Sequence, residues 1–407
     1  MASRKDSKGA VLPKGFCQRK SDGLYVYRRQ INGKTHTLYN KNLADLKEEV
    51  KVLERNIDAG LNVAKAKKLT LDDCFYRLMK SKLGIRDTTA DGYVYNYEHY
   101  IQPALGNRKI DTINAQCIKD LYISIRQKGL SVGSLKNIDM LLSMILQDCV
   151  SDDIIRRDYT EGIFDRVTSN AQDKKREKFA LTEAEVVSFM SYVQNSNRFK
   201  EYAPLFTILL GSGMRIGEAL GLVWDDIDFK EETISINKTL YYKAQNGNAT
   251  FCIHPPKTVS GYRTIPMRKE VKAAFLKLKE ERLKKGMCKD TIDGHSDFVF
   301  YNAKKHVYQP SSINRTIKTI VKYHNKEEDY IAKEEKRKPF HIREFSAHIF
   351  RHTTLTRMAE TEENPKKLQT FAGHADYQTT MNIYAKKTNL NILRETVDKA
   401  KQNFFIG

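Results

Sequence analysis

The chain has 407 residues, 40% of them hydrophobic, and carries 70 Lys and Arg against 50 Asp and Glu, a net charge of +20. That apolar fraction fills packed cores for two or three domains, and the absence of any run of 18 apolar residues excludes a membrane-spanning helix. The basic surplus favours a polyanionic partner, nucleic acid first. Six cysteines (Cys17, Cys74, Cys117, Cys149, Cys252, Cys288) are scattered with no C-x-x-C pair, so neither a disulfide framework nor a zinc site is expected. The basic N-terminus has no apolar segment after it and does not read as a secretory signal. The chain is expected in a reducing cytoplasm.

The surplus is concentrated at the start. Residues 1–70 hold 16 Lys and Arg against 7 Asp and Glu, a surplus of nine. Residues 1–14, with Arg4, Lys5, Lys8 and Lys14, read as a basic arm. Two β-rich alternating runs, residues 23–31 and 34–39, flank Asn32-Gly33, a strong hairpin signal. Leu43 to Ala59 then reads as an amphipathic helix ending at Gly60. A small three-stranded sheet plus one helix is predicted over residues 1–65. Arg28, Arg29, Lys34 and His36 are expected to line one exposed face of that sheet, whose width fits a DNA major groove.

Residues 61–69 carry Lys65, Lys67 and Lys68 and read as a linker. From Thr70 to about Ile155 the pattern is helical, in segments 71–83, 88–102, 113–128 and 131–150, broken at Gly84, Pro103–Gly106 and Gly129. A helical bundle is predicted over 70–168, with Tyr93, Tyr95, Tyr97 and Tyr100 mostly in its core. Residues 169–178 are polar without periodicity and read as an interdomain linker.

Residues 179–407 are predicted to form a mixed α/β domain. Thr182 and Glu185 form a capping box ahead of helix 183–194, and an apolar helix follows over 201–211. Gly211-Ser-Gly213 breaks that helix and presents Arg215, with Glu218 three residues later. Alone, such a pair is an ordinary helix-surface ion pair worth a few tenths of a kcal/mol. Thr233–Tyr242 alternates with period two and is expected to pair with Thr250–Lys257 around Asn246-Gly247-Asn248. Lys257 falls at a strand end or turn, where a lysine is usually solvated. Helix 269–285, a short strand at Phe298–Tyr301 and a helix from Ser311 to about His324 follow. Residues 325–340 are a charged insertion, read as a surface loop or helical extension. His341 has Glu344 at i+3, so it starts no His-x-x-Arg motif. Residues 389–402 read as a helix with Leu390, Ile392, Leu393 and Val397 apolar, packed in cis or against another copy.

The chemically richest stretch is Ala347 to Tyr384. It holds His348-Ile-Phe-Arg351-His352, then Gly373-His374, then Tyr384. His348 and Arg351 share a helix face. His374 follows a glycine that can end one helix before the next, and Tyr384 lies on that next helix. Two arginines, Arg351 and the upstream Arg215, can clamp a phosphate. A tyrosine beside such a clamp is a candidate nucleophile toward phosphorus. Each piece alone is common. The ordered set Arg215, Glu218, Lys257, His348, Arg351, His374, Tyr384 is not. It resembles the tyrosine recombinases, or phage-type integrases, whose active site reads Arg, Glu or Asp, Lys, His-x-x-Arg, His or Trp, and Tyr in that order. The run from Lys257 through Arg263 to Pro266 resembles the family's β-hairpin lysine region. The layout is most similar to integrases of conjugative transposons.

The resemblance implies a multidomain, mainly α fold with small β-sheets. An arm-type DNA-binding domain (1–65) and a helical core-binding domain (70–168) precede the catalytic domain (179–407), with Thr88, Thr89 and Lys136 near backbone phosphates in the second. It implies site-specific recombination through a 3′-phosphotyrosyl intermediate. Tyr384 is the nucleophile, His348 the base, and Lys257 the acid for the leaving 5′-oxygen. Arg215, Arg351 and His374 hold the phosphate, and Glu218 orients Arg215. Neither cofactor nor metal is expected, because fixed cations supply the positive charge. The implied partners are double-stranded DNA with core and arm-type sites, three further copies in a homotetramer, and an excisionase or a host DNA-bending protein. A cytoplasmic, nucleoid-associated bacterial protein follows. A type IB topoisomerase-like enzyme, a catalytically silent DNA-binding regulator and a metal-dependent nuclease stay open at this point.

Overall fold

A computed structural model describes residues 5–31, 34–58, 61–82, 84–169, 179–245, 248–361 and 364–385. The chain divides into two compact units, Met1–Lys175 and Arg176–Gly407.

In the first unit, strands β1 (Phe16–Gln18), β2 (Tyr25–Ile31) and β3 (Lys34–Asn40) form an antiparallel sheet in the order β1-β2-β3. Ile31 pairs with Lys34 on either side of Asn32-Gly33, which lies outside the described residues. Helix α1 (Leu43–Asp58) buries Leu46, Val50 and Leu53 against Phe16 and Tyr27.

Alternation along a strand corrects the single basic face. Arg28 and Arg29 are consecutive, so they project from opposite sides of the sheet. Arg29 lies on the α1 side with Tyr27: its Nη1 and the Tyr27 hydroxyl donate to Glu54 Oε1 at 2.8 and 3.0 Å. His36, directly across from Arg29, shares that side. Arg28 stands on the outer side, opposite Thr37. The Lys34 side chain lies outside the described residues.

The rest of this unit is helical. It comprises α2 (Val63–Ala66), α3 (Leu71–Ser81), α4 (Asp87–Asn96), α5 (Ala115–Gln127), α6 (Val132–Ser151) and α7 (Ile163–Thr168). Thr70 and Asp73 cap α3 reciprocally. The Phe75 and Tyr97 rings stack at 3.7 Å, and the Tyr97 hydroxyl donates to Asp72 at 2.8 Å. The break expected over Pro103–Gly106 falls at its last residue, Gly106. Beyond α4 the chain continues in π-helical turns from Tyr97 to Gly106, with Pro103 inside. The wider turn changes which carbonyl faces the residue that has no N–H. Lys136 is exposed on α6.

The second unit opens with α8 (Glu183–Asn195), capped by Thr182 and Glu185, then α9 (Ala203–Ser212) and the short α10 (Ile216–Leu220). Strands β4 (Ile227–Asp228), β5 (Thr233–Ile236) and β8 (Arg263–Pro266) make one sheet, ordered β4-β5-β8. Strands β6 (Thr239–Gln245) and β7 (Asn248–His254) make a separate hairpin. The single strand expected over 233–242 is therefore two. The reason sits at Asn237-Lys238. The buried Lys238 ammonium donates to both Asp226 carboxylate oxygens at 2.6 and 2.7 Å, and Asn237 Nδ2 donates to Asp226 Oδ1 at 3.0 Å. A buried charge needs such partners, and meeting Asp226 interrupts the strand.

Helices α11 (Lys269–Lys285), α12 (Pro310–Glu334), α13 (Ala347–Thr361), α14 (Pro365–Ala372) and α15 (Tyr377–Ala385) follow. The charged insertion extends α12 to Glu334. Phe298–Tyr301 gives isolated bridges, Val223 with Phe298 and Tyr301 with Val307, where a strand was expected. The helix predicted over 389–402 lies outside the described residues. No described helix is long and apolar enough to cross a membrane.

Four buried rings knit this unit together: Phe189 of α8, Phe206 of α9, Phe345 just before α13 and Phe350 in its first turn. Their centroids lie 5.1–5.7 Å apart. They fix α9 against α13, and so fix the end of α9 beside Arg351, the residue after Phe350. Phe350→Ala is expected to destabilise the second unit by about 3–5 kcal/mol. Denaturant unfolding followed by fluorescence of Trp224, the chain's single tryptophan and part of the same core, measures this.

Candidate active site

Arg351 is turned inward by α13 and is 2% exposed. A buried guanidinium needs acceptors, and two helix ends supply them. Nη1 donates to the Gly213 carbonyl at 2.9 Å and Nη2 to the Ala372 carbonyl at 2.5 Å. Gly213 closes α9 with φ 61°, and Gly373 closes α14 with φ 63°. Both are left-handed caps that glycine adopts without steric cost. The carbonyls at helix C-termini carry partial negative charge, so both helices point their negative ends at one cation. Burial pushes Arg351 down to about 9. The Arg215 and Arg263 cations push the same way, and the Glu218 carboxylate opposes them. It remains cationic at neutral pH.

Arg215 is the residue before α10, and Glu218 sits on that helix's first turn. Glu218 Oε2 accepts from the Arg215 backbone N–H at 2.9 Å, the reach-back of a capping box. Glu218 Oε1 accepts from Arg215 Nη1 at 2.7 Å. The carboxylate is 6% exposed, whereas the Arg215 side chain is 41% exposed. Burial alone would raise the Glu218 pKa. The hydrogen bond from Arg263 and the charges of Arg263 and Arg215 outweigh it and hold Glu218 at about 2. The carboxylate is thus ionised throughout the working range.

His374 follows the α14 cap. Its backbone N–H donates to the Gln369 carbonyl at 3.2 Å, and Gln369 Nε2 donates to the His374 carbonyl at 3.1 Å. Its Nδ1 lies 3.0 Å from Thr380 Oγ1 on α15. Burial first, then Arg351, Arg215, Arg263 and His348, push His374 down to about 4, so it is neutral at pH 7. Tyr384 lies one helical turn beyond Thr380, on the same face of α15, packed against Leu355, Ala359, Leu368 and Ala372. His348 is exposed on α13.

Arg215, Glu218, His348, Arg351 and His374 therefore gather around one site, with Tyr384 tethered to it through α15. Lys257 is exposed on the bend after β7. His352 Nδ1 lies 3.0 Å from Thr356 Oγ1, and His341 pairs with Asp329 at 2.7 Å. Among the described residues no group of three or more His, Cys, Asp or Glu is placed to hold a metal ion.

Arg263 is the member that sequence reading missed. Its side chain is 4% exposed, and its Nη2 donates to Glu218 Oε2 at 2.8 Å. The signal was an arginine six residues after Lys257. Nothing in the sequence said that Glu218, 45 residues upstream, would be its partner.

The neutral state of His374 has a thermodynamic consequence. Its folded pKa of about 4 lies below the ordinary 6.5, so the unfolded chain takes up the proton first as pH falls. The stability it contributes is present above about pH 6.5 and is lost as pH drops toward 4. Between pH 7 and pH 5 the wild type should lose about 2 kcal/mol more than His374→Gln. Urea unfolding read at Trp224 checks this.

Residues 180–390 match the phage integrase family, and residues 1–57 match the DNA-binding domain of the Tn916 integrase. The transposase of transposon Tn1545 from Streptococcus agalactiae is 30% identical over 98% of both chains. The transposase of Tn916 from Enterococcus faecalis is 29% identical over the same shares. Among solved structures, a Tn1549 transposon integrase in complex with transposon right-end DNA is 27% identical, with a TM-score of 0.70 over 81% of this chain and 99% of that one. A lambda integrase dimer bound to a core site shares the fold at 16% identity, with a TM-score of 0.51 over 92% of this chain and 95% of that one. The chain belongs to the phage integrase family and is a tyrosine-type site-specific recombinase.

Proposed function

We propose that the chain integrates and excises a transposon by cutting and rejoining DNA with Tyr384 as nucleophile. The observation that carries this is the convergence of Arg215 ahead of α10, Arg351 within α13 and His374 after α14, beside the helix that holds Tyr384.

A free tyrosine phenol has a pKa of about 10, so Tyr384 needs a base: it gives its proton to His348 and attacks the scissile phosphorus. The bond to the 5′-oxygen breaks, Lys257 protonates the leaving oxygen, and a 3′-phosphotyrosyl bond remains. A 5′-hydroxyl from another strand reverses the step, so the bond's energy is conserved. Arg215 and Arg351 meet the non-bridging oxygens and stabilise the added negative charge. Neutral His374, with Thr380 donating to Nδ1, offers an Nε2–H to the same phosphate without a further charge. Glu218 orients Arg215. The exposed bend places Lys257 on the solvent side, where a duplex can reach it.

Residues 1–65 serve arm-type sites and residues 70–168 clamp the crossover duplex, joined by the 169–178 linker to the catalytic domain, residues 179–407. For the first module the outer sheet side with Arg28 is the DNA-facing candidate. Arg29 and His36 stand on the helix side, and Lys34 sits at the hairpin end. Lys136 is a candidate phosphate contact in the second. Cutting four strands calls for four copies on two duplexes. An excisionase or host DNA-bending protein sets direction, in the bacterial nucleoid.

The test uses a nicked duplex taken from the element end, in excess EDTA. Wild type should form a covalent protein–DNA adduct, and Tyr384→Phe should form none while binding the duplex equally. An adduct that persists in Tyr384→Phe identifies another nucleophile. Loss of the wild-type adduct in EDTA favours metal-dependent cleavage.

A further inference from the structure

Arg263 is buried beneath the phosphate-binding cluster and ties together the three segments that build it. Nη2 donates to Glu218 Oε2 at 2.8 Å and Nη1 to Glu218 Oε1 at 3.3 Å. Nε donates to the Phe371 carbonyl at 2.9 Å, and Nη1 also reaches the Gly261 carbonyl at 3.3 Å. One contact set therefore spans α10, which carries Glu218 and follows Arg215; the last turn of α14, which delivers His374; and the loop between Lys257 and β8. The packing is tight enough to choose a residue. A Cβ at Gly373 would lie 2.9 Å from the Ser260 carbonyl oxygen and 3.0 Å from Arg263 Nη1.

We infer that Arg263 is a positioning residue for the transesterification: it occupies the Glu218 carboxylate so that the Arg215 guanidinium stays available to the scissile phosphate. The inference rests on the reading of Arg215 and Tyr384 given above.

Glu218 is a buried carboxylate shared by two arginines. Arg263 takes both of its oxygens from the buried side, while Arg215 spends one Nη1–H on it and is 41% exposed. Without Arg263, the only arginine left for that carboxylate among its described contacts is Arg215. An arginine pairs with a carboxylate most strongly in the two-pronged geometry. A buried carboxylate that has lost one cation draws in the other. Arg215 would then turn toward Glu218 and away from the phosphate. The Phe371 carbonyl would lose its donor beside His374 as well.

This predicts a dependence that a purely structural role does not produce. In single-turnover cleavage of the nicked element-end duplex at saturating protein, Arg263→Met should slow adduct formation about 100-fold, with duplex affinity changed less than about threefold. Glu218→Gln alone should also slow it. Adding Glu218→Gln to Arg263→Met should restore the rate about tenfold, because a neutral amide no longer draws Arg215 in. Arg263→Lys keeps the charge and loses the fork, so its rate should fall between the two. It serves as the variant of record if Arg263→Met does not give the cooperative Trp224 unfolding transition. The inference is overturned if the folded Arg263 variants cleave as fast as wild type, if their defect lies in affinity, or if the double variant is slower than Arg263→Met. A wild type that forms no Tyr384-dependent adduct would instead overturn the recombinase mechanism itself.

Discussion

The site is organised around a cation that water hardly touches. Arg351 is buried, and burial of a charge is tolerated only where hydrogen bonds and dipoles replace the lost hydration. Here the carbonyls of Gly213 and Ala372 do so, each at the C-terminus of a helix. The choice of arginine is physical. A buried lysine sheds its proton readily, while a guanidinium pushed down to about 9 is still charged at neutral pH. Its planar fork also reaches two carbonyls that come from helices far apart in sequence. The left-handed glycine caps and the four-ring aromatic core have one shared effect, which is to bring those two helix ends to the same guanidinium.

Around Arg351 the charges are arranged in a definite proportion. Arg215, Arg263 and Arg351 face a single buried carboxylate, Glu218, which leaves two net positive charges near the phosphate site. Addition of a phenolate to a phosphodiester monoanion gives a phosphorane with two negative charges. On the proposed mechanism this cationic excess stabilises the doubly negative species more than the singly charged bound substrate, which is the condition for catalysis as opposed to mere binding. His374 fits the same scheme. Its cationic neighbours keep it neutral, so it contributes a hydrogen-bond donor and leaves the charge balance unchanged.

Much of this was legible in the residues. The order Arg215, Glu218, Lys257, His348, Arg351, His374, Tyr384 named the family, and helical periodicity located most helices to within a few residues. Two of the misses come from a long-range polar contact overriding a local pattern. Alternation alone made residues 233–242 one strand, and the buried Lys238–Asp226 pair divides it. Read from sequence alone, Arg28, Arg29, Lys34 and His36 of the N-terminal sheet shared one face. Strand parity and the Glu54 contact separate Arg29 from Arg28. Arg263 was legible only as part of the Lys257–Pro266 run until the fold set it against Glu218. A partner 45 residues away leaves no periodic trace.

The central claim is that the buried and half-buried guanidinium groups act on the charge of the scissile phosphate. The most direct measurement compares wild type with Arg215→Ala on two nicked duplexes, one with an ordinary scissile phosphodiester and one with a charge-neutral methylphosphonate there. On the phosphodiester the substitution should slow adduct formation about 100- to 1000-fold. On the methylphosphonate, where the developing charge is one unit smaller, the gap should shrink to less than about tenfold. An equal loss on both substrates would contradict the account and assign Arg215 a role in shaping the site in place of balancing its charge.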